Sequence, residues 1–155
     1  MLSDLPLHAK VVAYITRGHE LLVFTQPEFP EAGTQVPAGT LEPGEDPAIG
    51  VLREIQEETG LELSNPVLLE VYECDLRPWK EERHLRHVFH VIAPENTPDA
   101  WTCWERHACD GTDSIEFHLR WVNMFDMPEE LAGYQGDVLP KLREQFSGEG
   151  ACQAT

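Results

Sequence analysis

Short runs of β-branched and apolar residues predict strands on both sides of one strongly patterned helix. Near the N-terminus, residues 8–16 and 20–25 are rich in such residues and short enough to be strands. The intervening Arg17-Gly18-His19 predicts the turn of a hairpin. Segment 26–39 carries three prolines and two glycines, which indicates a loop with a short strand near 35–37.

The second half of the chain continues the strand pattern. Four further runs predict strands, separated by charged or turn-forming loops, and they are expected at 66–74, 84–93, 101–107 and 116–124. In the last of these, the alternation places Phe117, Leu119 and Trp121 on one side. Strands before and after one central helix indicate an α+β fold.

The chain is predicted to close with a helix. Asp126 followed by Met127-Pro128 predicts a helix start, but Gly133 and Gly136 interrupt it, so only a short helical turn is expected there. A second helix is expected from about Asp137, and its predicted buried face consists of Leu139, Leu142 and Phe146. The length suits a single domain, 1–155, with about 1–7 and 147–155 flexible.

The central helix carries the clearest signals in the chain. Asp46 followed by Pro47 predicts an N-cap with proline at the first helical position, and Gly60 predicts the residue just past the end. A helix is therefore expected over 47–59. One stripe of this helix is predicted to be buried, and it consists of Ala48, Leu52, Ile55 and Thr59.

Three carboxylates occupy a second face of the same predicted helix. Glu54, Glu57 and Glu58 stand at i, i+3 and i+4, where like charges repel by about 0.2–0.5 kcal/mol per pair. A divalent cation would turn that repulsion into coordination, because Mg2+ and Mn2+ prefer oxygen ligands. The alternative is a solvated acidic face in which Arg53 pairs with Glu57.

Charge and cysteine usage narrow the classes of function. The 11 basic and 28 acidic residues give a net charge of -17, which disfavours a long nucleic acid or an anionic membrane as partner. No run of 18 apolar residues and no secretory signal pattern occur, so a cytoplasmic protein is expected. The four cysteines are too scattered for a disulfide scaffold, and reduced thiols are expected.

Residues 39–61 resemble the signature of the Nudix hydrolases at every defined position. In order, the stretch has Gly39, five residues, Glu45, seven residues, Arg53-Glu54, an apolar residue, and Glu57-Glu58 before Gly60 and an apolar residue. The resemblance implies an α/β/α sandwich in which a mixed sheet lies between this helix and the C-terminal helix. It also implies hydrolysis of the diphosphate linkage in a small nucleotide.

The resemblance carries roles onto individual residues of the box. It implies Mg2+ or Mn2+ held by the Gly39 carbonyl, Glu57 and Glu58, while Glu54 is either a third ligand or the base that deprotonates the attacking water. Arg53 is expected to hold Glu57 in position. Two lesser expectations concern acids at the edges of the site. Glu45 is expected to support the loop or to contact a metal through water, and Glu116, with Asp113 as its alternative, is expected to add one catalytic acid from outside the box.

Substrate choice stays open at this level. The form of the loop 36–45, together with Pro78, resembles members that cleave nucleoside diphosphate sugars such as ADP-ribose, and a nucleoside triphosphate is the other candidate. A non-catalytic nucleotide sensor is the alternative function, and a homodimer is left open. Trp79, Trp101 and Trp104 are expected mainly to pack, although an indole face also binds a base.

Overall fold

The computed structural model describes residues 4–105 and 115–153, with side chains up to residue 146. Seven strands and two α-helices make up the described chain. In chain order they are β1 (Leu7–Arg17), β2 (Glu20–Thr25), β3 (Ala38–Thr40), α1 (Pro47–Thr59), β4 (Val67–Asp75), β5 (Arg83–Ile92), β6 (Ala100–Glu105), β7 (Ile115–Asn123) and α2 (Leu139–Gln153).

One mixed sheet contains all seven strands. Its order is β4-β5-β1-β2-β7-β6, and β3 pairs with the N-terminal half of β1. The pairing of β1 with β5 is parallel, and the other pairings are antiparallel. The predicted hairpin is confirmed, since Arg17 lies opposite Glu20 across a turn in which Gly18 has a φ of 60°.

Each face of the sheet packs against one helix, as the alternation of apolar residues in β1 requires. Val11, Ala13 and Ile15 lie in the core cluster under α1. Val12 and Tyr14 point the other way, into the cluster that contains the first turns of α2. The predicted α+β sandwich is therefore confirmed, with the sheet as its central layer.

The bounds and caps of α1 match their prediction. The Asp46 side chain accepts a hydrogen bond from the Ala48 N–H at 2.8 Å, and Gly60 ends the helix in the left-handed region with a φ of 78°. Ile55 and Thr59 are buried as predicted, and Ala48 and Leu52 pack partly buried against the same cluster. These caps fix where the acidic half of the helix lies on the sheet.

Two predicted elements differ from the observed ones. The short strand is β3, later than the predicted 35–37, because Pro37 has no N–H with which to join a ladder. The short helical turn predicted directly after Asp126 is absent. A 3₁₀ turn forms instead at Ala132–Tyr134, and it contains Gly133, whose φ is positive. The second helix, expected from about Asp137, is α2, and its backbone runs over Leu139–Gln153.

Removing the α1 cap gives a direct test of this packing. Asp46→Ala is expected to lower the free energy of unfolding by about 1 kcal/mol, because the Ala48 N–H loses its partner at the first turn. Urea denaturation of the native protein and the variant measures the difference. Asp46→Asn is the matched control, since asparagine also caps well, and an equal loss in both variants would contradict the capping role.

Candidate active site

The backbone of β3 lies directly against the acidic half of α1. A Cβ built on Gly39 would stand 2.0 Å from the Cδ atom of Glu54, so any larger residue would displace that carboxyl group. One residue earlier, the Ala38 N–H donates to Glu58 Oε1 at 2.9 Å. Glycine is required here because the strand and the two carboxylates occupy the same small space.

The three box carboxylates do not share one solvent-facing side. Glu54 and Glu58 are 9% and 4% exposed, whereas the side chain of Glu57 is half exposed. On the helix face predicted to carry the three carboxylates, two acids lie against β3 and one is turned toward solvent. Burial raises the free energy of an ionised carboxylate unless hydrogen bonds or opposite charges compensate it, so the partners of these two acids matter.

Arg53 donates hydrogen bonds to Glu45, Glu54 and Glu57. Its Nε and one terminal nitrogen donate to the two oxygens of Glu45, each at 2.8 Å, and its other terminal nitrogen donates to Glu54 Oε1 at 2.8 Å. The predicted contact with Glu57 is present but longer, at 3.2 and 3.3 Å. Arg53 also donates to the Thr40 carbonyl at 3.2 Å, which ties α1 to the end of β3.

Electrostatics divide the acids into two groups. Burial raises the pKa of Glu54 to about 7, although Arg53 opposes the shift, and neighbouring Glu57 and Glu105 raise it further. Burial also raises the pKa of Glu58 well above its usual value, and Glu105 adds to that shift. Hydrogen bonds from Arg53 lower the pKa of Glu45 to about 2, so this acid is a fixed anion that anchors the guanidinium.

Glu105, at the end of β6, is the acid that sequence reasoning missed. It lies on the same face of β6 as Trp101 and Cys103, whose side chains contact the C-terminal half of α1: Trp101 Nε1 donates to the Thr59 carbonyl at 2.8 Å, and Cys103 Sγ lies 3.9 Å from the Glu57 carbonyl. The side chain of Glu105 therefore faces the same way, toward α1. Its effect on both buried acids agrees with that orientation.

Glu116 lies on the opposite face of the sheet. It pairs across the ladder with exposed Trp104 and contacts His118, its neighbour on the same face. Its adjacent residue Phe117 points into the α1 core cluster, so strand alternation directs Glu116 away from the box. The expectation for Glu116 is corrected on this ground, and Asp113 lies outside the described residues.

The donor set fits a hard divalent cation. Glu54, Glu57, Glu58 and Glu105 offer only carboxylate oxygens, and two of them are buried among like charges, which a cation would neutralise. In the described parts of the chain, no three acidic, His or Cys side chains are gathered tightly enough to enclose an ion as they stand. Arg53 and the Ala38 N–H hold two of the carboxylates, and these bonds compete with a shared cation.

The sequence matches the NUDIX domain family over residues 6–142. The chain therefore belongs to this family, and the prediction of a Nudix hydrolase acting on phosphoric anhydrides is confirmed. Across the described residues, no helix has the length and apolarity needed to cross a membrane.

Curated relatives match the chain to different extents. An RNA pyrophosphohydrolase from Roseobacter denitrificans is 28% identical over 154 residues, 94% of each chain. A methanol dehydrogenase activator from Bacillus methanolicus is 36% identical over 73 residues, which are 46% of this chain and only 34% of that protein. The second match therefore concerns about a third of that relative.

Solved structures share the fold. A MutT NUDIX hydrolase from Burkholderia pseudomallei has a TM-score of 0.65 at 22% identity, covering 87% of this chain and 97% of that one. A MutT protein from Methanosarcina mazei Go1 has a TM-score of 0.63 at 23% identity, covering 95% and 97%. At these identities the likeness concerns the arrangement of helices and strands.

The raised pKa values predict an unusual pH dependence of stability without divalent ions. The folded pKa of Glu54 lies above its unfolded value of 4.5, so its contribution is fully present below about pH 4.5 and is lost as the pH rises through about 7. The expected loss is on the order of 2–3 kcal/mol, measured by urea denaturation in EDTA between about pH 5 and pH 8.

Two variants test the assignment of that slope. Glu54→Gln is expected to reduce the slope, because the amide cannot ionise and only Glu58 of the two buried acids remains, whereas Glu116→Gln on the other face is expected to keep the full slope. Glu45 does not interfere, because its lowered pKa affects stability only as the pH falls below about 4.5. A native protein whose stability is constant over the range would contradict the buried, repelling carboxylates.

Proposed function

We propose that this chain is a Mg2+- or Mn2+-dependent pyrophosphohydrolase that cleaves the diphosphate linkage of a small nucleotide. One observation carries the proposal: Glu54 and Glu58 are buried against glycine in β3, beside Glu57 and facing Glu105. Burying several ionised carboxylates together lowers the stability of the fold. Divalent cations that bind a dianionic linkage would neutralise these carboxylates.

The residues suited to hold the cation are Glu57, Glu58 and Glu105, with the Gly39 carbonyl as a further oxygen. A bound divalent ion would neutralise the diphosphate and stabilise the charge that develops on the leaving oxygen. Glu58 is already oriented by the Ala38 N–H, and Glu57 stands at the open side of the helix. Glu105 would complete the set from β6.

Glu54 is placed to accept a proton from the attacking water. Its pKa of about 7 lies close to a neutral operating pH, where a base is both deprotonated and basic enough. The water oxygen forms a bond to phosphorus, its proton passes to Glu54, and the bond from phosphorus to the bridging oxygen breaks with its electron pair. Arg53 holds Glu54 in position through one oxygen, and Glu45 anchors Arg53.

Trp79 is the indole best placed to meet a substrate. Its side chain is 57% exposed and lines a cavity of about 760 Å3, within the ~300–1,000 Å3 typical of ligand pockets. Trp101 is engaged with the end of α1, and Trp104 lies on the sheet face away from the box. A nucleoside in this cavity would stack on Trp79, on the face of the sheet that packs against α2.

A substrate panel with Mg2+ tests the proposal. The native protein is expected to release phosphate products from at least one nucleoside triphosphate or nucleoside diphosphate sugar. Glu57→Gln and Glu105→Gln are each expected to lower kcat roughly 100-fold or more, because each removes charge from the site. Glu116→Gln is the matched control, expected to stay within about threefold, since it lies on the other face.

Three outcomes of that panel would contradict the proposal or one of its assignments. Nucleotide binding without turnover of any substrate would favour the alternative, a non-catalytic sensor. Equal losses in Glu105→Gln and Glu116→Gln would refute the assignment of Glu105 to the site. Turnover that persists undiminished in EDTA would refute the dependence on a divalent ion.

Hydrolysis of RNA 5′ ends is a second candidate, favoured by the likeness to the RNA pyrophosphohydrolase over 94% of the chain. The net charge of -17 opposes it, because a long phosphate backbone would be repelled. Comparing a 5′-triphosphorylated RNA with the matching mononucleotide separates the two. The small-nucleotide proposal predicts a lower kcat/KM for the RNA, and a higher value that falls steeply with salt would reverse the preference.

A further inference from the structure

A small basic cavity lies beside the acidic site, on the α2 face of the sheet. Its volume is about 200 Å3, and Gly39 forms part of its wall. Whole ligands occupy pockets of roughly 300–1,000 Å3, so this one suits a single group of a larger molecule. Its charged and aromatic lining consists of Lys10, Lys80, His84, Arg86 and Trp79.

The charge of this cavity contrasts with that of the chain. Acidic residues outnumber basic ones by 28 to 11, yet two of the three lysines, Lys10 and Lys80, line this one small space together with Arg86. Glu82 is an acid that acts on Lys10, and its carboxylate contacts His84 at 2.9 Å and His8 at 3.6 Å. The cavity is therefore a positive spot on a strongly negative protein.

Arg86 is a buried cation without a carboxylate partner among the described residues. It is 4% exposed, and its Nε atom has no hydrogen-bond partner in the described chain. One terminal nitrogen donates to the Gly133 carbonyl at 2.6 Å, and the other reaches the Tyr72 hydroxyl at 3.4 Å. Asp137 meets Arg86 only through that hydroxyl, 3.2 Å from its carboxylate. A buried charge in this state is costly unless an anion joins it.

The cavity connects to the acidic site through two short contacts. Lys10 Nζ donates to the Thr40 side chain at 2.6 Å, and the Thr40 carbonyl accepts from Arg53 at 3.2 Å. Lys10 also lies near enough to Glu54 for their charges to interact. A substrate whose diphosphate lies at α1 would therefore have its next group over β3 and at the mouth of this cavity.

We propose that this cavity binds a phosphate group of the substrate that lies outside the linkage to be cleaved. The inference rests on the proposed function for the direction from which the substrate arrives. It assigns the substrate to nucleotides that carry at least one phosphate more than the scissile diphosphate. Lys10 and Lys80 supply charge at the opening, and Arg86 supplies it at the base.

A nucleobase is the competing occupant, since Trp79 forms one wall. A neutral base would leave the charge of Arg86 without an anion and would not use two lysines. Lys80 already lies over the Trp79 ring, 4.9 Å from its centroid, so the indole face at this point is partly covered by a cation. An anionic group satisfies all three basic side chains, and the base is left for the larger cavity, which also has Trp79 in its lining.

Binding of inorganic phosphate to the full chain in EDTA tests the site without any divalent ion or turnover. Calorimetric titration at constant ionic strength is expected to show saturable binding that weakens about 10-fold in Arg86→Met, because a charge-assisted contact is lost. Lys141→Met, which removes a surface lysine outside the cavity, is the control and is expected to bind as the native protein does. Arg86→Met is expected to remain folded, since it leaves no unpaired carboxylate behind, although the Gly133 carbonyl and the Tyr72 hydroxyl each lose a hydrogen bond.

Lys80→Met serves as a second variant, because its exposed side chain can be removed without disturbing the core; a loss of about threefold is expected. Native-like phosphate affinity in Arg86→Met, or in Lys80→Met if the first variant does not fold, would overturn the proposal. No saturable binding by the native chain would also overturn it.

A kinetic arm separates this inference from the proposed function. With Mg2+, Arg86→Met is expected to raise KM about 10-fold for a nucleoside triphosphate and less than twofold for the matching diphosphate. Equal effects on both substrates would contradict a site for the additional phosphate. If no nucleotide is hydrolysed while phosphate binding still depends on Arg86, the proposed function fails and the anion site stands.

Discussion

The burial of two carboxylates against β3 is the constraint on which the rest of the structure depends. Glu54 and Glu58 can lie there only because Gly39 has no side chain, because the Ala38 N–H donates to one acid, and because Arg53 donates to the other. Even with these contacts, burial keeps both pKa values raised. Ionising both acids in the folded chain is therefore unfavourable. A divalent cation bound together with a dianionic substrate would remove this cost.

Much of this arrangement was predictable because it is local in sequence. The caps at Asp46 and Gly60 fix α1 to within its observed bounds, and the spacing of the box acids places them on consecutive turns. What spacing did not show is which side of α1 meets β3. That depends on a strand at Ala38–Thr40, whose position is set by Pro37 and by pairing with β1 rather than by a periodic pattern.

Glu116 is the opposite case. The local strand pattern predicted its orientation correctly, whereas the family resemblance led to its assignment to the site. The predicted alternation of Phe117 and Leu119 toward the core already directs Glu116 away from it, and the structure agrees. Glu105 reaches α1 because β6 pairs with β7 in a register that puts Trp101 and Cys103 on the helix. That register joins two strands across residues 106–114 and cannot be obtained from hydrophobic periodicity. The basic cavity was missed for a similar reason, since Lys10, Lys80 and Arg86 come from three separate segments.

The central claim, that the buried acids are poised for a divalent cation, is tested most directly by counting protons released on Mn2+ binding. Calorimetry at about pH 6.5 in two buffers of different ionisation enthalpy gives that number, because a ligand must be deprotonated to bind. Release of on the order of one proton per protein is expected at about pH 6.5 and should decline as the pH rises, and it should disappear in a Glu54→Gln, Glu58→Gln double variant. Mn2+ binding with no proton release at about pH 6.5, or release unchanged in the double variant, would contradict the account.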